Sequence, residues 1–113
     1  MNYNQCPIMR TLEVIGGKWK PIILHYLEVE PRRAGELARL IPHASPKVLT
    51  EQLRELERDG VISRTVHSVV PPRVDYALTV LGQSLVPLLD AMCQWGEAHP
   101  ATDPRRRHTP ALA

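Results

Sequence analysis

Residues 45–60 read S-P-K-V-L-T-E-Q-L-R-E-L-E-R-D-G, and behind them come V-I-S-R-T-V-H at 61–67 and R-V-D-Y-A-L at 73–78. The first segment is a helix with both ends written into it. Ser45 is a side-chain cap, Pro46 sits at the first helical position where its missing N–H costs nothing, and Asp59-Gly60 is a stop. Val48, Leu49, Leu53 and Leu56 recur at three- and four-residue steps and form the stripe to be buried, leaving Lys47, Thr50, Glu51, Arg54 and Arg58 on the outer face. The two later segments are rich in β-branched residues. Val74, Tyr76 and Leu78 alternate with Arg73, Asp75 and Ala77 as a half-buried strand requires. Pro71-Pro72 cannot donate to a ladder, so the tip between the strands is a projecting loop with Arg73 at its base. A helix with one polar face followed directly by a hairpin is the layout of an element that enters a DNA major groove beside a wing.

Upstream, P-I-M-R-T-L-E-V-I-G at 7–16 predicts a short helix with Ile8, Leu12 and Ile15 on one side, closed by Gly16-Gly17. Residues 18–29 predict a second, with Trp19, Ile22, Ile23, Tyr26 and Leu27 as its apolar face and Pro21 tolerated in the first turn. Glu30-Pro31-Arg32-Arg33 reads as a turn, and 34–41 as a third helix carrying Leu37, Leu40 and Ile41 inward, ended by Pro42. Pro42-His43-Ala44 then connects it to the helix capped by Ser45, which makes a helix-turn-helix.

Downstream of Thr79 the pattern is helical again. Leu81, Leu85, Leu88, Met92 and Trp95 are spaced by four, three, four and three residues, a seam that asks for a partner; Leu89 and Cys93 widen it. Pro87 inside this segment predicts a kink. Residues 100–113, A-T-D-P-R-R-R-H-T-P-A-L-A after Pro100, show no periodicity and read as a mobile tail, so the folded domain is expected over 1–99.

Composition narrows the function classes. A chain of 113 residues is one domain. No apolar run approaches the roughly 18 residues a membrane helix needs, and the N-terminus lacks the marks of a signal peptide, so a cytoplasmic location is expected. Asp103 and Arg105, Arg106 and Arg107 carry the whole net charge of +2; setting those four aside from 14 basic and 12 acidic residues leaves 11 of each. Positive charge for nucleic acid must therefore be concentrated on one surface. With no Phe among its five aromatic residues the chain has few platforms for stacking single-stranded bases, which favours duplex.

Four separate segments carry a family resemblance. Cys6-Pro7 with Arg10-Thr11-Leu12, Ile15-Gly16-Gly17-Lys18-Trp19, Leu53 to Gly60 and Pro71 to Thr79 together closely resemble the HxlR-type bacterial transcriptional regulators, winged-helix proteins related to the MarR type. The resemblance spans about residues 5–99. It implies an α+β, mostly α, winged helix-turn-helix with a two-stranded wing and dimerisation helices at both ends, acting as a homodimer on a pseudo-palindromic operator, with repression by occlusion favoured over activation. Under it, Ser45, Pro46, Lys47, Thr50, Glu51 and Arg54 meet double-stranded DNA from the recognition helix, and Arg32, Arg33 and Arg73 meet phosphate or minor groove. Ile8, Leu12, Leu85, Leu88, Leu89, Met92 and Trp95 form the dimer interface. The chain departs from the family at Ala34, where a bulky aromatic is usual, and at Glu51, where glutamine is common; a carboxylate there accepts from cytosine or orients Arg54.

Cys6 precedes Pro7 at a helix start, where the dipole favours negative charge, and Arg10 one turn on adds a cation. In part of the resembled family the cysteine at this place senses oxidants or electrophiles, so a small oxidant or electrophile is the expected effector, against the alternative of a small packed residue. Cys93 reads as structural. Cys6, His25, Cys93 and His99 lack ligand spacing, no cofactor motif is present, and neither H-E-x-x-H nor G-x-S-x-G occurs, so neither metal, cofactor nor enzyme chemistry is expected. The competing expectation is a winged-helix module that binds protein through the 81–95 seam.

Overall fold

In the computed structural model Ser45 caps its helix as the sequence requires, with Oγ accepting from the Val48 N–H at 3.1 Å and Pro46 in the first turn. At the other end Gly60 adopts φ +79°, the left-handed region, and the Val61 N–H returns to the Leu56 carbonyl at 3.2 Å, satisfying a carbonyl the helix would otherwise leave open. The structure describes residues 5–102; residues 103–113, most of the expected mobile tail, lie outside the described residues.

The elements run α1 (Pro7–Ile15), α2 (Lys20–Val29), β1 (Arg32–Arg33), α3 (Ala34–Leu40), α4 (Pro46–Arg58), β2 (Ile62–His67), β3 (Arg73–Leu78), α5 (Val80–Gln83) and α6 (Val86–Ala98). The sheet is antiparallel with order β1-β3-β2, and Ile62 pairs with Leu78 at its closed end while His67 pairs with Arg73 at the wing. The core joins Ile23, Leu24 and Leu27 of α2 to Leu37 of α3, Leu49, Leu53 and Leu56 of α4, Val61 just ahead of β2, and Ile62 and Tyr76 of the sheet. Burying each of those three α4 leucines contributes about 1.5–3 kcal/mol, which makes this face the main anchor of the helix.

Three expectations are corrected. Arg32 and Arg33 are not a turn: they pair with Tyr76 and Asp75 and add a third strand beside β3. Two charged residues carry no β-signal of their own, and only the open edge of β3 recruits them. The segment after Thr79 is not one kinked helix. It splits at Ser84-Leu85, and Pro87 lies in the first turn of α6, because a proline there can neither donate to Gln83 nor fit its ring against that carbonyl. The third helix stops at Leu40, leaving Ile41 as its buried cap and Leu40 exposed. No described helix is long and apolar enough to cross a membrane.

Gly82 marks the closest backbone approach. A Cβ there would lie 2.1 Å from the Val61 carbonyl oxygen, at the point where Thr79 also binds, donating its N–H to Val61 and its hydroxyl to Gly60 at 2.6 Å. Gly82→Ala is therefore expected to cost about 2 kcal/mol or more, lowering the melting temperature by roughly 10 °C. Gly35→Ala, whose new carbon meets only the Arg39 side chain at 3.7 Å, should leave stability level or raise it by up to about 1 kcal/mol. Thermal denaturation followed by circular dichroism checks both; equal effects at the two positions would refute the close contact.

Candidate nucleic-acid interface

At 3.6 residues per turn Lys47, Thr50, Glu51 and Arg54 fall within an arc of about 100° on α4, opposite Leu49, Leu53 and Leu56. All four are exposed, and Ser45, Pro46 and Arg58 are exposed with them. Arg54 could have been spent on Glu51, Glu55 or the other acids of its helix, but neither it nor Lys47 enters an ion pair among the described residues. Glu55 is engaged elsewhere: its Oε1 lies 3.2 Å from Lys20 Nζ on α2 and its Oε2 accepts from Gln52 at 3.2 Å. The Lys20 side chain is only 9 % exposed, so this pair braces α4 from behind and leaves the front cations free. Ser45 Oγ uses a lone pair on its cap and keeps its own proton to donate.

The wing and α3 flank a groove of about 540 Å³ lined by Arg33, Arg39 and Arg73 together with Gly35, Glu36 and the 69–72 tip. Asp75 organises the wing base: its Oδ2 is 2.9 Å from His67 Nε2 across the strand pair, and its Oδ1 is 3.4 Å from Arg73 Nε. Part of the Arg73 charge is thus neutralised. The two arginines read as a pair in the sequence separate here. Arg33 is exposed at the groove, whereas Arg32 is turned inward, its guanidinium facing Glu30 at 3.4 Å, Glu36 at 3.8 Å and the Tyr26 carbonyl at 3.4 Å, above the Tyr26 ring. Arg32 therefore holds β1 to α2 and α3 instead of offering a free cation. Arg39 and Arg64, both exposed, were missed by sequence reasoning; Arg39 is the basic residue in the last turn of α3, a helix the sequence did predict, so it could have been read.

Cys6 is the N-cap of α1, half-buried, with no side-chain cap bond. The cation expected to support it is diverted, since Arg10 Nη1 lies 3.3 Å from Glu13 Oε2. Burial, then Glu97, with smaller contributions from Asp90 and Glu28, pushes the Cys93 thiol up from its ordinary value. At the two ends of the chain, Ile8 and Leu12 on α1 and Leu88, Met92 and Trp95 on α6 are exposed large apolar residues. Leu85 is half-buried against the core, and Leu89 is 3 % exposed within it, so Leu89 leaves the expected contact face. The seam spacing could not separate Leu89 from Leu88 because the two sit side by side on one turn.

The family model for HxlR-like helix-turn-helix proteins matches residues 14–103. The chain is 55% identical over 89 residues to the HTH-type transcriptional regulator YtcD of Bacillus subtilis (strain 168), covering 79% of this chain and 71% of that one. Among solved structures, the redox regulator HypR in its oxidized form superposes with a TM-score of 0.83 at 43% identity, over 86% of this chain and 100% of that one. The reduced form of the transcriptional regulator YodB from B. subtilis gives 0.72 at 32% identity, over 88% and 98%.

The brace behind α4 is open to a double-mutant cycle. Glu55→Ala strands the Lys20 ammonium and is expected to cost about 1–3 kcal/mol, whereas the same change in a Lys20→Met background should cost only a few tenths. Urea denaturation reads both; equal costs in the two backgrounds would mean the pair does no bracing.

Proposed function

The chain belongs to the HxlR-like helix-turn-helix family of transcriptional regulators, and from that premise we propose that it is a homodimeric winged-helix repressor of a pseudo-palindromic operator. Each subunit lays α4 in the major groove of one half-site, the two helices about 34 Å apart along the duplex. The observation that carries this reading is the α4 face itself: Lys47, Thr50, Glu51 and Arg54 stand exposed and uncommitted over a helix anchored from behind by three buried leucines and the Lys20–Glu55 pair. Arg33, Arg39 and Arg73, lining the groove between wing and α3, supply phosphate or minor-groove contacts. Ile8, Leu12, Leu88, Met92 and Trp95 give the second copy an apolar surface to bury, with Leu85 at its margin. Binding that occludes the promoter accounts for repression without further machinery.

Cys6 is the redox-responsive residue in this reading. HypR is a redox regulator and shares the fold, and in this chain Cys6 stands half-buried as the N-cap of α1 with its side chain unused in the cap. An oxidant such as peroxide takes two electrons from the thiolate to give sulfenic acid, which condenses with a second thiol to a disulfide and releases water. An electrophile instead adds to the sulfur directly.

Gel-shift titrations at two salt concentrations test the assignment. Lys47→Ala and Arg54→Ala are each expected to weaken operator binding by about 1–3 kcal/mol; a base contact also relaxes specificity, whereas a phosphate contact flattens the salt slope by about one. Unaltered binding by the double variant removes α4 from its role, and absence of duplex binding at any salt favours the protein-binding module. Cys6→Ser should bind operator as the parent chain does and show no response to diamide or peroxide. An oxidant response that survives this substitution excludes Cys6 as the switch.

A further inference from the structure

Behind the interface, between α2 and α6, lies a group of ligating side chains that the reading above does not use. His25 and Glu28 are one turn apart on α2 and face Asp90 on α6, and one ligating atom from each lies within 4.8 Å of the others. His25 Nδ1 is 3.4 Å from Glu28 Oε2. Ligands held at 2.0–2.2 Å around a tetrahedral ion stand about 3.4 Å apart, so this edge of a coordination polyhedron is already set. Glu28 Oε2 is sealed from solvent and receives no hydrogen bond. A hollow of about 180 Å³ lined by His25, Ile22, Leu89, Met92 and Cys93 gives access to the imidazole from outside.

We propose that His25, Glu28 and Asp90 form a binding site for a divalent first-row transition ion of the zinc type, bridging α2 to α6. One imidazole nitrogen and two carboxylate oxygens are a donor set for zinc or cobalt(II), with water in the fourth position. The ion adds a cation beside the two carboxylates and gives Glu28 Oε2, which otherwise faces the His25 nitrogen without a hydrogen bond, a ligand bond. It also ties the helix bearing Leu88, Met92 and Trp95 to the core helix α2, which fixes the angle at which that apolar surface is presented. The site shares no residue with α4, so its failure would leave the DNA-binding reading standing, and the reverse holds too.

The test uses the full chain, stripped with a chelator and titrated with zinc and, for its visible spectrum, with cobalt(II). One ion per chain is expected, with a melting temperature that rises with ion concentration and cobalt d–d bands without a sulfur-to-metal charge-transfer band. His25→Ala and Glu28→Gln should each weaken the ion roughly ten-fold or more. Glu28→Gln removes one of two crowded carboxylates, so the ion-free variant should melt no lower than the parent chain; loss of ion binding then cannot be loss of fold. The proposal is overturned by absence of saturable uptake at millimolar ion, by uptake that Glu28→Gln leaves unchanged, or by a sulfur charge-transfer band that places the ion on a cysteine.

Discussion

The roll of α4 about its own axis depends on a cation that cannot be left alone. Lys20 is the one buried charged residue in the core of the described chain, and its ammonium lies 3.2 Å from Glu55. Desolvating an ammonium without a counter-charge costs several kcal/mol, so Glu55 is confined to the flank of α4 that faces α2. Once Glu55 is placed, the 100° steps of the helix leave no choice: Leu49, Leu53 and Leu56 go into the core, and Lys47, Thr50, Glu51 and Arg54 go out. The leucines would tolerate a small rotation, since apolar contact has no direction. The ion pair does not, and it turns a greasy seat into a registered one.

The same economy governs the other charges. A body with equal numbers of acidic and basic residues can present a positive surface only if its acids are occupied elsewhere. Glu30 and Glu36 hold Arg32, Glu13 holds Arg10, Asp75 holds His67 and part of Arg73, and Glu55 holds Lys20. Among the described residues the cations left without an ion pair include Lys47, Arg54 and Arg58 on α4, Arg33 and Arg39 at the groove, Arg64 on β2 and Lys18 ahead of α2. Near-neutral composition is thus compatible with a local field, because surface pairs contribute little to stability yet decide which charges are left over.

Much of the fold was legible, and for stated reasons. The ends of α4 are marked by residues whose chemistry is local, Ser45, Pro46 and Gly60, and each behaves in the structure as its side chain or lack of one dictates. The wing was legible from alternation, and three of the four short segments that carried the family resemblance fall within the family match over 14–103, the one at residues 6–12 lying ahead of it. What escaped was set by partners far away in the chain. Arg32-Arg33 became a strand only because β3 offered an edge, Arg32 turned inward because Glu36 and Tyr26 waited there, and Leu89 was drawn into the core by α2 while its neighbour Leu88 was not. Glu28 and Asp90 are separated by more than sixty residues, and no spacing rule could have joined them.

In the proposed dimer, α1 and α6 present the subunit contact and α4 the DNA contact, so a signal at one end reaches the other through geometry alone. Two recognition helices must straddle successive grooves, and a change of a few degrees in how α6 meets its twin displaces α4 of one subunit relative to the other by several ångströms across the breadth of the molecule. The α4 helix need not be remodelled, which suits its seating, since three buried leucines and an ion pair resist distortion. In the proposed reading a chemical event at Cys6, the N-cap of α1, reaches the contact that Ile8 and Leu12 of the same helix enter. The device is then a rigid reader on an adjustable hinge: sensitivity lies in the exposed apolar helices, where contacts are undirected and interchangeable, and specificity lies in α4, where they are not.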